Sequence, residues 1–350
     1  MQTCHMCFQP LKILNSAYLF IQSETFSLKL IHILNSLQFT ESSSSVYKRE
    51  YTSKNELKEI LSFLHSEGIS LHTYPASISR QNTPVFYKDQ TLYTIYNHTF
   101  HEGILHIITS GDLESHLQPI VHLQSSELYG FESLLRDMSG QYSPYQLFDT
   151  AQKTNLHSFL DKRAREVAIK SRGSLVPKGI KSFINFLPST IYSPEHCLEH
   201  TFKLVEKHKV SPDDLVFEVV ESEKIEDIDH LLNIFQVYRK NGMKVALDDV
   251  GSGFATLETL KLLQPDYAKI DRAYISYCDQ SKEKENFLKE IVAIGNEYGI
   301  SILAEGIERK EELEFSRDLG IQYGQGYYIE KPSLSPLLLK QINMKLQVTS

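Results

Sequence analysis

Leu28, Ile31, Leu34 and Leu37 recur every third residue, a spacing that gathers apolar side chains onto one face of a helix. A second helix is better marked. Ser53 and Glu56 form a capping box, Leu57, Ile60, Leu61 and Leu64 line one face, and Gly68 supplies the stop. Residues 40–45 between them read as a polar, serine-rich link. Residues 92–96 and 104–109 alternate or cluster like strands. The expectation for residues 1–110 is a small α+β domain, and nothing in its pattern specifies a ligand.

From residue 117 the grammar changes to strand, helix, glycine, strand. A helix over 225–240 carries Ile228, Leu231, Leu232 and Phe235 and stops at Asn241 and Gly242, and a strand over 244–247 follows at once. The same order recurs at 283–299 before 300–304, and at 309–320 before 321–323. A glycine after a helix supplies the left-handed residue that ends it. Repeated alternation of this kind implies parallel strands joined by crossover helices. The length from residue 111 to the end suits a (β/α)8 barrel, typically ~250 residues. A doubly wound sheet is the alternative, but no GxGxxG loop opens a first helix. One departure is visible: the apolar runs 117–123 and 128–135 are separated by only four polar residues, Gln124 to Glu127. So short a link makes a hairpin, so one strand near the start of the barrel runs antiparallel.

Composition narrows the partners. The 350 residues are 41% hydrophobic and 23% charged, ordinary for a globular protein, and the net charge of -8 argues against a grip on polymeric nucleic acid. A small phosphorylated ligand stays open, because a metal ion can supply local positive charge. No apolar run reaches the ~20 residues needed to cross a bilayer. The best N-terminal candidate, 11–21, is broken by Lys12, Asn15 and Ser16 and lacks signal-peptide flanks, so the chain reads as cytoplasmic and without a membrane partner. Cys4 and Cys7 make a CxxC pair beside His5. No second pair completes a zinc site, and reduced thiols are the plainer reading. Cys197 and Cys278 stand alone as structural residues.

Barrel enzymes place their chemistry at the C-terminal ends of strands. In this sequence those ends carry Glu132, Asn185, Glu218, Asp248 with Asp249, Lys269 with Asp271, Glu305 and Gln325, and Glu221 stands three residues beyond Glu218. Singly, each has a bland explanation: a carboxylate ending a strand is usually a helix cap, and Asp-Asp before Gly is usually a turn. Repetition at one mouth is not explained that way. Converging carboxylates repel unless something positive sits among them. Magnesium or manganese suits oxygen ligands, and two such ions ~3.5–4 Å apart can clamp a phosphate. A lysine in the ring can hold the attacking water, and Arg136 can pair with phosphate oxygens. The reaction class is metal-assisted attack on a phosphodiester.

Taken in order, these residues resemble the EAL family of cyclic di-GMP phosphodiesterases over residues 111–340. Glu132-Ser133-Leu134 with Arg136 stands at the naming motif, and Gln118-Pro119 lies in the strand before it. Asn185 to Pro188, Glu218 and Glu221, Asp248-Asp249, Lys269 to Asp271, Ala304 to Glu308, and Gln325 to Tyr327 complete the set. Ser133 stands where the family has alanine, and Val250 where it has phenylalanine. The resemblance implies metal ligation by Glu132, Asn185, Glu218 and Asp248, with Asp249 on a second magnesium or manganese ion. It implies that Lys269 acts on the attacking water and that Glu305 is a further ligand or a proton acceptor. Glu221 would brace the loop after Asp249 and couple it to a homodimer partner. Gln118, Arg136 and Gln325 would contact the substrate or order the site. The product implied is linear pGpG, with residues 111–350 as the barrel. Degenerate members of the family bind cyclic di-GMP without cleaving it, and signalling of that kind through residues 1–110 is the alternative reading.

Overall fold

The computed structural model describes residues 11–43, 45–87, 90–220 and 227–334. They fall into two compact units. The first gathers the described residues up to Asp112 together with Ser139–Leu160, and the second Leu113–Met138 together with the described residues from Asp161. The expected boundary at 110 lies close to Asp112, but the segment Ser139–Leu160 belongs with the first unit rather than the barrel.

In the first unit, strands β1 (Ala17–Gln22), β2 (Thr40–Ser43), β3 (Val46–Tyr51) and β4 (Ala76–Ser79) form an antiparallel sheet in the order β2-β3-β1-β4. Helices Leu28–Ser36 and Lys54–Ser66 connect β1 to β2 and β3 to β4, the split β-α-β arrangement. Leu19 and Ile21 of β1 share a core with Leu30, Leu34, Leu57 and Leu61 of the two helices. The Ser53 hydroxyl accepts the Glu56 N–H as the sequence indicates, while the Glu56 carboxylate accepts from Thr52 N–H, one residue before the expected cap. Gly68 takes φ +71° after the second helix.

Three expectations for this unit need correction. Residues 40–45 are not merely a link, because Thr40–Ser43 is an edge strand. Every residue of it is exposed, so no apolar alternation marks it. Residues 92–96 and 104–109 are helical, within Leu92–Phe100 and Glu102–Ser110. In these helices Thr99 and Thr109 donate their hydroxyls to the carbonyls four residues back, Ile95 and Leu105. Ile104, Leu105 and Ile108 bury one helical face, so tertiary packing overrides local strand propensity.

The second unit is a closed barrel of β5 (Leu113–His122), β6 (Leu128–Asp137), β7 (Lys181–Phe186), β8 (Leu215–Val219), β9 (Lys244–Val250), β10 (Tyr267–Ile270), β11 (Ser301–Ala304) and β12 (Tyr323–Gly324). It is a (β/α)8-type barrel with the hairpin where the sequence puts it: β5 runs antiparallel to both neighbours, β6 and β12. Helices Ile228–Lys240, Lys282–Tyr298 and Lys310–Asp318 are followed by Gly242, Gly299 and Gly320 at φ +78°, +69° and +91°. The first starts at Ile228, where the Asp227 carboxylate caps His230 N–H, and residues 225–226 lie outside the described residues.

The lower half of the barrel interior is filled. Ile120, Phe183, Tyr267, Leu303 and Tyr323 pack there with Tyr129, whose ring stacks on Tyr323 at 4.0 Å. Burial pushes the Tyr129 and Tyr323 phenols above their ordinary range, so both stay neutral. Polar chemistry is left to the upper mouth. Cys197 and Cys278 are free thiols, and burial raises Cys278 to about 11. Cys4 and Cys7 lie outside the described residues. Among the described residues no helix is long and apolar enough to cross a membrane.

Candidate active site

Strand alternation and register bring the expected residues together. On the hairpin, Glu132 of β6 faces Gln118 of β5, and on the next pair Asn185 of β7 is in register with Glu218 of β8. Asp248 lies on β9, Lys269 on β10, Glu305 just past β11 and Gln325 just past β12. The carboxylates of Glu132, Glu218, Asp248 and Glu305 meet around one ammonium. Lys269 Nζ lies 2.7 Å from Glu305 Oε1, 2.8 Å from Glu218 Oε2, 3.0 Å from Asp248 Oδ1 and 3.8 Å from Glu132 Oε1. The Lys269 side chain is 1% exposed and that of Glu218 0%.

Charge at this mouth is unbalanced. Burial pushes Glu218 well above the usual carboxylate range, Lys269 opposes the shift, and Glu132 and Asp248 add to it. Glu305 is likewise raised by burial and Asp248, against Lys269. Burial alone would lower the Lys269 ammonium. Asp248, Glu132, Glu218 and Glu305 overcome it and hold the lysine protonated.

The donor set fits divalent cations. Oxygens of Asp248, Asp249 and Glu305 lie within 4.8 Å of one another. Glu218 Oε1 is buried without a hydrogen-bond partner, a costly state for a carboxylate oxygen unless a positive ligand meets it. These are hard oxygen donors with no imidazole or thiolate among them, the chemistry of magnesium or manganese.

Neighbouring groups set the orientation of Glu132. Asn185 Nδ2 donates to its Oε1 at 3.1 Å, and Gln325 Nε2 donates to its Oε2 at 2.5 Å and to Gln118 Oε1 at 2.9 Å. Gln325 thus holds Glu132 directly, and Gln118 acts on it through Gln325. Asp249 sits at φ +52°, a left-handed conformation unusual for a residue other than glycine, and its N–H donates to Asp248 Oδ1 at 3.0 Å. That turn aims consecutive carboxylates into the same space. Gly251 follows at φ +113°, where a Cβ would meet the Tyr274 ring at 2.5 Å.

Other expected residues are placed differently. Arg136 lies four residues beyond Glu132 on β6, half-buried, donating to Leu135 O at 2.8 Å and feeling the charge of Glu132. Asp271 caps the short helix Arg272–Ile275 through Ala273 N–H at 2.6 Å, the bland reading for that residue. Glu221 lies outside the described residues. Sequence reasoning missed Glu312, which is 1% exposed and accepts the N–H groups of Tyr277, Glu308 and Arg309. It pins the loop that follows Glu305, and its signal was a glutamate at the third position of a helix.

Comparison with known proteins identifies the domain. Residues 102–332 match the EAL domain family. The chain is 32% identical over 253 residues to the probable cyclic di-GMP phosphodiesterase PdeG of Escherichia coli, covering 69% of this chain and 48% of PdeG. It thus spans about half the length of that relative. A standalone EAL protein of Vibrio cholerae, solved with cyclic di-GMP bound, shares 28% identity and a TM-score of 0.59, covering 65% of this chain and 94% of that one. At 20% identity BlrP1 of Klebsiella pneumoniae, solved with manganese and cyclic di-GMP, is a likeness in fold alone. Its TM-score is 0.60, covering 91% of this chain and 96% of that one.

Proposed function

The chain belongs to the EAL domain family, and on that premise we propose that its barrel is a metal-dependent phosphodiesterase that hydrolyses cyclic di-GMP to linear pGpG. The observation that carries the reading is the Lys269 ammonium set within 3.0 Å of Glu218, Asp248 and Glu305 at one barrel mouth. Glu132, Asn185, Glu218 and Asp248 would hold one magnesium or manganese ion, and Asp249 would join a second. Such ions, when bound, supply positive charge against the scissile phosphate and lower the pKa of the attacking water.

The chain's own residues do the remaining work. Lys269, kept protonated by its acidic neighbours, donates from Nζ to the attacking water and orients it rather than acting as a base. Glu305, whose carboxylate stands 2.7 Å from Lys269 Nζ, accepts the proton that the water loses. As the new P–O bond forms, the bond to one ribose 3′ oxygen breaks, and that oxygen takes a proton. Gln118 and Gln325 keep Glu132 turned inward, and Arg136 offers a guanidinium at the mouth for phosphate or base. Glu221 is assigned the bracing of the loop after Asp249 and its coupling to a homodimer partner through the barrel. Residues 111–350 would be the catalytic portion, residues 1–110 a separate domain, and the substrate, an intracellular messenger, fits a cytoplasmic site of action. A receptor that binds without cleaving is not favoured, since neither Lys269 nor any carboxylate of the set is missing.

Full-length protein incubated with cyclic di-GMP and magnesium or manganese should release pGpG on chromatography. Glu132→Ala should slow turnover by at least ~10²-fold, the scale of losing a preorganised charge element. Tight nucleotide binding with no pGpG after prolonged incubation would decide for the receptor. Absence of binding would remove both readings.

A further inference from the structure

Two residues past Asn185 the chain is fastened from below. Asp161, 2% exposed on the helix His157–Leu175, accepts Leu187 N–H through Oδ1 at 3.0 Å and the Thr190 hydroxyl through Oδ2 at 2.9 Å. Arg165, one turn along the same helix, donates Nη2 to Asp161 Oδ2 at 2.9 Å and Nη1 to the Thr201 hydroxyl at 2.7 Å. All four polar partners are at least nine-tenths buried. The clamp therefore fixes the turn Pro188–Thr190 that follows β7, and with it the height at which Asn185 reaches Glu132.

A second clamp of the same chemistry sits elsewhere on the same helix. Arg172 donates Nη2 to Asp214 Oδ2 at 2.7 Å, and Gly179 N–H donates to the same carboxylate oxygen at 3.0 Å. Asp214 immediately precedes β8 and Gly179 lies before β7, at the ends of those strands remote from Asn185 and Glu218. Both clamps bury an arginine, an aspartate and a backbone N–H. Only the Asp161 clamp adjoins a candidate ligand.

We infer that Asp161 is a positioning residue for the metal site: it holds the β7 turn so that Asn185 and Glu132 present their oxygens in register. This rests on the proposed metal site but not on the identity of the nucleotide. Supporting groups outside a ligand set commonly govern ~10–100-fold in metal affinity, whereas a clamp that only stabilises the fold leaves the affinity of the folded protein unchanged.

The test compares Asp161→Asn with Asp214→Asn in the full chain, reading thermal stability in chelator and Mn2+ affinity by calorimetry without nucleotide. Both variants should melt earlier than the parent. Asp161→Asn should weaken Mn2+ binding by ~10-fold or more, and Asp214→Asn should change it less than about two-fold. Equal effects of the two on affinity, or none from Asp161→Asn, would overturn the inference. If Asp161→Asn does not fold, Thr190→Val removes one donor and spares the Arg165 pair. A measurable loss of Mn2+ affinity in that variant supports the inference, and an unchanged affinity overturns it. A parent that binds Mn2+ yet cleaves no cyclic di-GMP would sink the functional proposal while leaving this comparison readable.

Discussion

Replacing Lys269 by methionine would leave Glu132, Glu218, Asp248 and Glu305 facing one another with no resident cation. The chain would then have to take up protons or divalent ions to relieve the repulsion. Turnover should fall by at least ~10²-fold, because the water loses its orienting donor, and the purified variant should depend more steeply on added Mn2+ for its melting temperature. A variant that cleaves at the parental rate would show that the lysine is only a counter-ion. At this scale the sequence was informative where a polar residue interrupts an apolar run. Glu132, Glu218 and Lys269 stand out because hydrophobic strands have no other reason to carry them. Asp161 does not, because it sits among Lys162, Arg163, Arg165 and Glu166 on a charged helix, and nothing in the order of residues separates the buried charges from the solvated ones. Burial is a property of the assembled helix and strand, not of the string.

At the scale of elements, the barrel was easier to read than the unit before it. Helix 282–298 and β11 announce themselves by a hydrophobic face, a terminal glycine and an apolar run. The helix Leu92–Phe100 does not, since Tyr, Thr and Ile favour strands in isolation and only packing makes them helical. That packing has a titratable contact. His98 is buried and pairs Nε2 with Thr154 O at 3.0 Å just past the helix Pro144–Lys153, and burial lowers its pKa below the ordinary histidine value. The unfolded chain therefore takes up a proton before the folded one does. The contribution of His98 is fully present above the unfolded pKa of ~6.5 and is lost as pH falls below it. Urea melts between pH 7.5 and 5.5 should show stability falling with pH, and His98→Gln should flatten the slope. An identical slope in the variant would place the effect elsewhere.

For the whole molecule, an ion held at the acidic mouth would make metal binding and stability one equilibrium. The folded barrel gathers Asp248, Asp249 and Glu305 within 4.8 Å, and the unfolded chain does not. Ions that bind only the folded state add RT ln(1 + [L]/Kd), ~2.7 kcal/mol at a hundred times Kd. For a domain of this size that is a rise of about 5–10 °C in melting temperature. Differential scanning calorimetry in Mn2+ and in EDTA would measure it, and superimposable transitions would mean that the site holds no ion. The overall architecture was legible in the order of helices, glycines and strands, whereas the edge strand β2 carries too little pattern to announce itself. The brevity of β12 has its own consequence. A cylinder whose last stave touches each neighbour over two residue pairs has a natural place to breathe. Gln325 leaves that stave to grip Glu132. Thermal loosening of the seam would slacken that grip first, so the rigidity of the acidic mouth is only as good as its narrowest plank.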